Sequence, residues 1–432
     1  MLFSKLKSVL PLPKLHAPTI EVNGSELSVT NPENNGGFAE QWELYSSGNA
    51  SPLVTKEIGE TTANLDEVPS HLMSEDLFVR FSATGFVRSD ISNIVQYFKR
   101  QPLSEDRLLL AGASTNNFAV FAGGISTTHS ATVDVFNANL VRFTPTELSE
   151  ARSSLSGTTI GEYALFAGGK TSFGYSKKVD AYSDDLTRVS ATDLTEERSD
   201  CAIVVINDKC IVFGGKNSSV SGDSVICDVY DADLTKYNSF ELEHSHAYGA
   251  AAVADWYVAV AGGVNCTTGT IISAVDMIDS ELTYIMPEEL FTARAYHKAE
   301  TIGSYDFGNI SAAFGTGNND EGTANDIEYF DVGMAHYVLP QTFDSAVSDY
   351  ACVRVNDDVL FAGGVCAIAE SFVKKIDNAF TVHTLPDLTY SRYSHAGCTV
   401  GDKVLFAGGG QGNSRLASIE IYDADYRHSI IN

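Results

Sequence analysis

The sequence predicts an all-β chain: a β-propeller, with seven blades favoured and six the alternative, preceded by a small β-sandwich. Three observations predict it. A hydrophobic strand ending in a double glycine recurs seven times, a second landmark keeps the same register, and residues 19–99 carry short alternating strands of a different spacing. The chain has 432 residues, 44% of them apolar, which suits a repeat array plus one small domain.

The first landmark reads "AVFAGG" ending at Gly124, "ALFAGG" at Gly169, "CIVFGG" at Gly215 and "VAVAGG" at Gly263. A degenerate "AAFGTG" ends at Gly317, and "VLFAGG" follows at Gly364 and Gly409. Successive spacings are 45, 46, 48, 54, 47 and 45 residues, a period typical of propeller blades. The second landmark begins at Val133, Val179, Cys227, Val275, Ile327, Val373 and Ile419, as in "VDVFNANL" and "CDVYDADL". Two landmarks in one register over seven copies define the repeat. Six blades would result if an end unit failed to close.

Each unit reads as four short strands. In the second copy "SSLSGTTI" and "YALFAGG" supply apolar inner strands joined at Gly161-Glu162, "KKVDAYS" alternates, and "LTRVSAT" has a polar edge. No segment sustains a 3.6-residue apolar period, so few helices are expected. The double glycines close strands and no helix follows them, whereas a phosphate-binding loop opens a helix. Their expected task is close approach between neighbouring blades.

These residues resemble the kelch family of β-propellers over about residues 104–432. The matching features are the strand ending in Gly-Gly, the aromatic-Asp pairs Tyr230-Asp231 and Tyr422-Asp423, and the positions Arg152, Arg198, Arg294 to His297 and Arg392 to His395. The tryptophan usual on the outer strand of a kelch unit is absent, and Phe143, Tyr237 and Tyr284 lie near its place.

Residues 19–99 contain "TIEV", "ELSVTN", "AEQWELY", "TTANL", "DLFVRFSATG" and "SNIVQYF", parted by turn clusters such as "PENNGG". Their order resembles a fibronectin type III or immunoglobulin-like sandwich, with Trp42 in its core. The expected division is an N-terminal docking segment at 1–18, the sandwich at 19–99, a linker at 100–106 and the propeller at 107–432.

Lysine plus arginine number 28 against 56 acidic residues, a net charge of -28 that repels phosphate backbones and argues against nucleic acid. The 7 cysteines show no zinc spacing. Cys201 and Cys210 are placed to face each other on neighbouring strands, with reduced thiols the favoured state. The start, broken by Pro11 and Pro13, does not read as a secretory signal, and no run approaches the roughly 20 apolar residues of a membrane span.

The meander fixes which loops share a face. The turns joining strands one and two are short. The loops after the glycines are longer, polar and varied, and they share the opposite face with the connections between blades. The candidate ligand face comprises His129, Tyr175, Asn217, Asn265, Asn319, Gln411 and Asn413, together with Arg152, Arg198, His246 and Arg294. Asp231, Asp279, Asp331, Asp377 and Asp423 recur at the third-to-fourth turn, where an aspartate bonding its own backbone explains them better than a ring of cation ligands does.

Neither Tyr296-His297 nor His244-Ser-His246 comes with a further set of ligands, "NNDEG" from Asn318 lacks the remaining ligands of a calcium loop, and no hydrolase motif is present. No catalytic residue, metal or cofactor is therefore expected. The expectation is a non-enzymatic binding or structural protein, a virion component of the tail or a head appendage. Its first residues and sandwich would hold other virion proteins, and its long-loop face a host-surface protein or glycan. A cytoplasmic interaction scaffold and a sugar-active or copper-dependent propeller are the alternatives.

Overall fold

The computed structural model describes residues 101–432 apart from 219–221, 320–323, 341–342 and 344–345, together with seven strands in the first hundred residues. The chain divides into two compact units, residues 1–100 and 101–432. The expected docking segment 1–18 lies outside the described residues, as does most of the "NNDEG" stretch.

In the first unit, strands Thr19–Asn23, Glu26–Thr30 and Thr62–Asn64 form one antiparallel sheet. Strands Val54–Glu57, Gln41–Ser46, Asp76–Ser82 and Val95–Gln96 form a second, in that order. Ile20, Val29, Trp42, Leu44 and Val79 are buried, so the tryptophan is a core residue.

The second unit is a seven-bladed β-propeller of four-stranded antiparallel sheets. The blades span residues 111–143, 156–190, 202–241, 250–289, 299–338, 351–384 and 396–431. The inner strands follow one another around a central channel, and the seventh, Ala396–Val400, meets the first, Ala111–Ser114. Among the described residues the only helix is the 3-10 turn Tyr305–Phe307.

Period-two geometry explains the apolar runs. In Phe118–Ala122, Ala119 and Phe121 face blade 7 while Val120 and Ala122 face blade 2. Both faces of each blade are buried, so successive residues are apolar instead of alternate ones. The core is accordingly a set of seven inter-blade layers rather than one central mass. Six blades would leave one layer without a partner.

The double glycines do what their crowding predicts. Gly124 N–H donates to the carbonyl of Arg152 at 2.9 Å across the blade junction. A Cβ on Gly123, Gly168 or Gly363 would lie 2.5 Å from the carbonyl oxygen of Arg152, Arg198 or Arg392 respectively. In the degenerate unit Thr316 takes the first glycine's place. Its hydroxyl donates to Val347 O at 2.6 Å and accepts from Val347 N at 2.9 Å.

Two expectations require correction. Leu103 N–H donates to Ala417 O at 2.9 Å, Arg107 N–H to Leu416 O at 3.2 Å, and the Leu103 side chain is buried between blades 7 and 1. The end of the expected linker is therefore part of the propeller closure. Cys201 and Cys210 do not face each other, because Cys210 pairs with Val205 and the ladder from Ala202 carries Cys201 to the far end of the hairpin. All seven cysteines are free.

Candidate functional site

The connection entering each blade carries a residue with left-handed backbone: Leu109, Ser154, Asp200, Tyr248, Tyr296, Asp349 and Ser394, with φ between 49° and 62°. Each main-chain N–H donates to the carbonyl of the corresponding residue in the preceding blade, over 2.7 to 3.2 Å. Leu109 donates to Ser394 and closes the cycle. Seven backbone hydrogen bonds thus form a closed annulus at the channel mouth on the long-loop face. Their geometry requires φ > 0 at every member, a conformation uncommon for non-glycine residues.

The channel is a cavity of about 460 Å³, lined by the annulus and the inner strands. Its polarity is uneven. The lining position two residues past the annulus is Ala111, Ser156, Ala202, Ala250, Ala351 or Ala396 in six blades and Lys298, just before the inner strand, in blade 5. The Lys298 ammonium makes no ion pair or hydrogen bond with a described residue. Two residues further, in the strand Ala299–Ile302, Glu300 also lines the channel.

Asp200 and Asp349 stand at the mouth. Burial pushes both carboxyls above the usual range, and the Lys298 charge and hydrogen bonds from Ser199 and Ser348 offset it only in part. Burial raises Glu300 as well. Between the aspartates, Tyr248 and Tyr296 stack with ring centroids 4.4 Å apart at 30°. Behind the mouth, His297 and His395 are buried with neither ring nitrogen hydrogen-bonded. Burial, then the charge of the neighbouring arginine, holds both well below the ordinary imidazole value. The Lys298 ammonium, two carboxyls, a stacked tyrosine pair and two serine hydroxyls can therefore hold a small polar ligand in several directions at once.

The arginines expected on this face are not on it. Arg152, Arg198 and Arg294 are fully buried, as are Arg107 and Arg392. Each pairs with an acid of its own blade: Arg107 with Asp134 at 2.7 Å, Arg152 with Asp180 at 2.9 Å, Arg198 with Asp228 at 2.7 Å, Arg392 with Glu420 at 2.7 Å, and Arg294 with Glu328. The same acids accept loop N–H groups, such as Thr195 N on Asp228 and Ser149 N on Asp180. These clamps tie the blade entry to the third strand, and full burial withdraws the guanidiniums from the surface, with Nε of Arg107, Arg152 and Arg198 and Nη1 of Arg152 left without a hydrogen bond.

His246 is the buried equivalent in blade 4. Its Nε2 lies 3.3 Å from Asp276 and its Nδ1 2.8 Å from Gly262 O. Burial opposes ionisation of Asp276, yet hydrogen bonds from His246 and His244 hold its carboxyl down at about 2. The two imidazoles converge on a carboxylate. In blade 6 the arginine and the acid are both absent, replaced by Val347 and Lys374.

The remaining candidates are scattered over the rim, and none lines the channel. Asn217 is buried, with Nδ2 3.3 Å from Glu196. Asn265 accepts from Thr267 N and Thr268 N in its own turn, and Gln411 reaches Ser391. His129, Tyr175 and Asn319 are half-buried, and Asn413 is exposed at a hairpin tip. The loops carrying Tyr175, Asn265 and Gln411 fold as small hairpins, for example Lys170–Thr171 with Gly174–Tyr175.

At the opposite face, Asp279, Asp331, Asp377 and Asp423 each accept two backbone N–H groups of their own turn. No described group of three His, Cys, Asp or Glu is arranged to hold a metal ion. No described helix is long and apolar enough to cross a membrane.

Sequence reading missed the annulus and Lys298, although a signal for both exists. Aligning the units on the arginine column places the annulus two residues later and the Lys298 column four residues later. The acids of the clamps are the second letter of the second landmark in six of its seven copies.

No family model matches the chain, and no curated protein matches it. A solved structure, YjhT, is similar over 77% of this chain and 99% of its own, with a TM-score of 0.48 and 12% identity.

Proposed function

We propose that this chain is a non-enzymatic binding protein whose propeller takes a small, hydroxylated, negatively charged ligand at the long-loop mouth of the channel. Lys298 carries the reading: its ammonium makes no ion pair or hydrogen bond with a described residue, in a column that is otherwise alanine or serine. The fold tolerates a small residue there in six blades, so packing does not demand the lysine. Lys298 meets the ligand's negative group, Asp200 and Asp349 accept from its hydroxyls, and Tyr248 and Tyr296 supply an apolar wall. Thermal unfolding of the full chain with a panel of sugar acids tests this. Stabilisation by a member of the panel, lost in Lys298→Ala, supports the reading.

One observation favours catalysis as a second reading. Asp200 and Asp349 hold protons more tightly than ordinary carboxyls and sit in a cleft, which is how acid–base groups are prepared. Conversion of a bound sugar acid, followed by NMR and abolished by Asp349→Asn, would establish it in place of the binding reading.

The kelch assignment is supported by the arginine column and the double glycines, and a fibronectin III-like first unit by its three-plus-four strand pairing. The finer proposal is a virion component, with residues 1–100 as the attachment unit and the propeller facing the host. Sedimentation of source material tests it: co-migration with coat proteins supports it, and recovery among soluble cytoplasmic proteins refutes it.

A further inference from the structure

The face opposite the channel mouth carries a second cavity, between blades 5 and 6, of about 360 Å³. Tyr329, Tyr337 and Phe380 form its apolar wall, and Asn309, Asp331 and Val332 lie at its edge. Tyr329 and Tyr337 are cross-strand partners with rings stacked at 5.2 Å and 22°, and Phe380 lies 5.2 Å from Tyr329. The phenol oxygens of both tyrosines make no hydrogen bond with a described residue. Asp331 uses Oδ1 for the backbone of its own turn.

The surroundings are built for rigidity. Five other blades join the first two strands by short turns such as Gly161-Glu162 and Gly401-Asp402, and blade 1 by residues 115–117, whereas blade 5 uses residues 303–310. That longer loop leaves Tyr305 and Phe307 exposed. It is tied to blade 6 by Asn309 Nδ2 donating to Asn378 O at 2.8 Å. The opposite edge is held from blade 4, where Trp256 Nε1 donates to Val332 O at 2.9 Å and Tyr257 donates to Asp331 O at 2.6 Å.

We propose that this cleft binds a neutral hexose oligosaccharide. The cavity has the size of a small-ligand site. A pyranose presents a flat C–H face to an aromatic platform and a rim of hydroxyls that both donate and accept. The two free phenols and the carboxylate of Asp331 supply complementary groups. No described lysine, arginine or histidine lines the cleft and Asp331 lies at its edge, so an anionic ligand is disfavoured there. A proline-rich peptide would also stack on the rings, but its prolines have no N–H to offer Asp331. The site is independent of the channel mouth: different blades' turns build it, and its ligand is uncharged.

Calorimetric titration of the full chain with cellopentaose, maltopentaose and laminaripentaose tests the proposal, with fluorescence locating the event. The chain has 2 tryptophans, and Trp256 bonds the cleft edge while Trp42 is buried in the first unit. The expected result is saturable binding of at least one pentaose with a change in Trp256 emission. Tyr337→Ala, at an exposed position, should weaken it by about tenfold or more. Tyr329→Phe, which keeps the stack and loses one hydroxyl, should weaken it less, and Lys298→Ala should leave it unchanged. Absence of binding by all three sugars, binding that survives Tyr337→Ala, or a proline-rich peptide binding in their place would overturn the proposal. Loss of binding in Lys298→Ala alone would place the sugar in the channel instead.

Discussion

The main-chain N–H of Leu109 donates to the carbonyl of Ser394 at 2.8 Å, joining the entry of the first blade to that of the last. That bond completes a seven-membered cycle, so the channel mouth is a covalently open but hydrogen-bonded closed rim. Proline at 109 removes the donor and cannot adopt the φ of 56° found there. Leu109→Pro should cost at least about 3 kcal/mol in urea unfolding of the propeller. Leu109→Gly, which keeps the donor and suits the backbone, should not destabilise it.

The arginine clamps are structural and expensive to break singly. Arg198→Met leaves buried Asp228 with only Lys236, 3.6 Å away, as a cation, and the expected loss is about 3 kcal/mol. Lys374→Ala, at the acid's equivalent in blade 6 where no arginine exists, should change stability by no more than about 0.5 kcal/mol. Parallel denaturant titrations separate the two cases.

His297 and His395 make stability depend on pH. Their folded-state proton affinity lies below the ordinary value of 6.5, so the unfolded chain takes up the protons first. The stability they contribute is complete above pH 6.5 and is lost as pH falls through that value toward their folded pKa. Asp200, Glu300 and Asp349, raised by burial, act in the opposite direction at lower pH. Comparison of variants isolates the histidines. Replacing both by leucine, the residue found at the equivalent positions 110 and 155, should flatten the decline below pH 6.5. An unchanged pH profile would refute this.

Two glycines with the same backbone hand should respond differently to alanine. Gly363 has φ 66° and its added Cβ would meet the Arg392 carbonyl at 2.5 Å, whereas Gly412 has φ 58° and open space. Gly412→Ala should cost about 1 kcal/mol, and Gly363→Ala about 1–3 kcal/mol more. Thermal unfolding of both variants gives the comparison directly.

Much of this fold was legible because a repeat states each structural demand seven times. The double glycines, the four-strand meander and the turn aspartates follow from local chemistry, as Gly123 and Asp377 illustrate. The arginines misled. Arg152 and Arg198 look like partner-binding residues in a loop until their acids, Asp180 and Asp228, are brought beside them by pairing within the blade. The site was hidden for the converse reason. Lys298 is ordinary in sequence and becomes exceptional only beside Ala250 and Ala351, its neighbours around the channel. Asp200 and Asp349 are 149 positions apart in the chain, and only the propeller places both at one channel mouth.

The central claim is that Lys298 anchors a negatively charged ligand at the channel mouth, and calorimetric titration of glucuronate, galacturonate and gluconate into wild type and Lys298→Ala tests it most directly, with glucose and galactose as neutral controls. The account predicts saturable binding of at least one acid, none of its neutral counterpart, and loss in a Lys298→Ala protein that unfolds at the wild-type temperature. Failure of every acid to bind, or equal binding by Lys298→Ala, would contradict it.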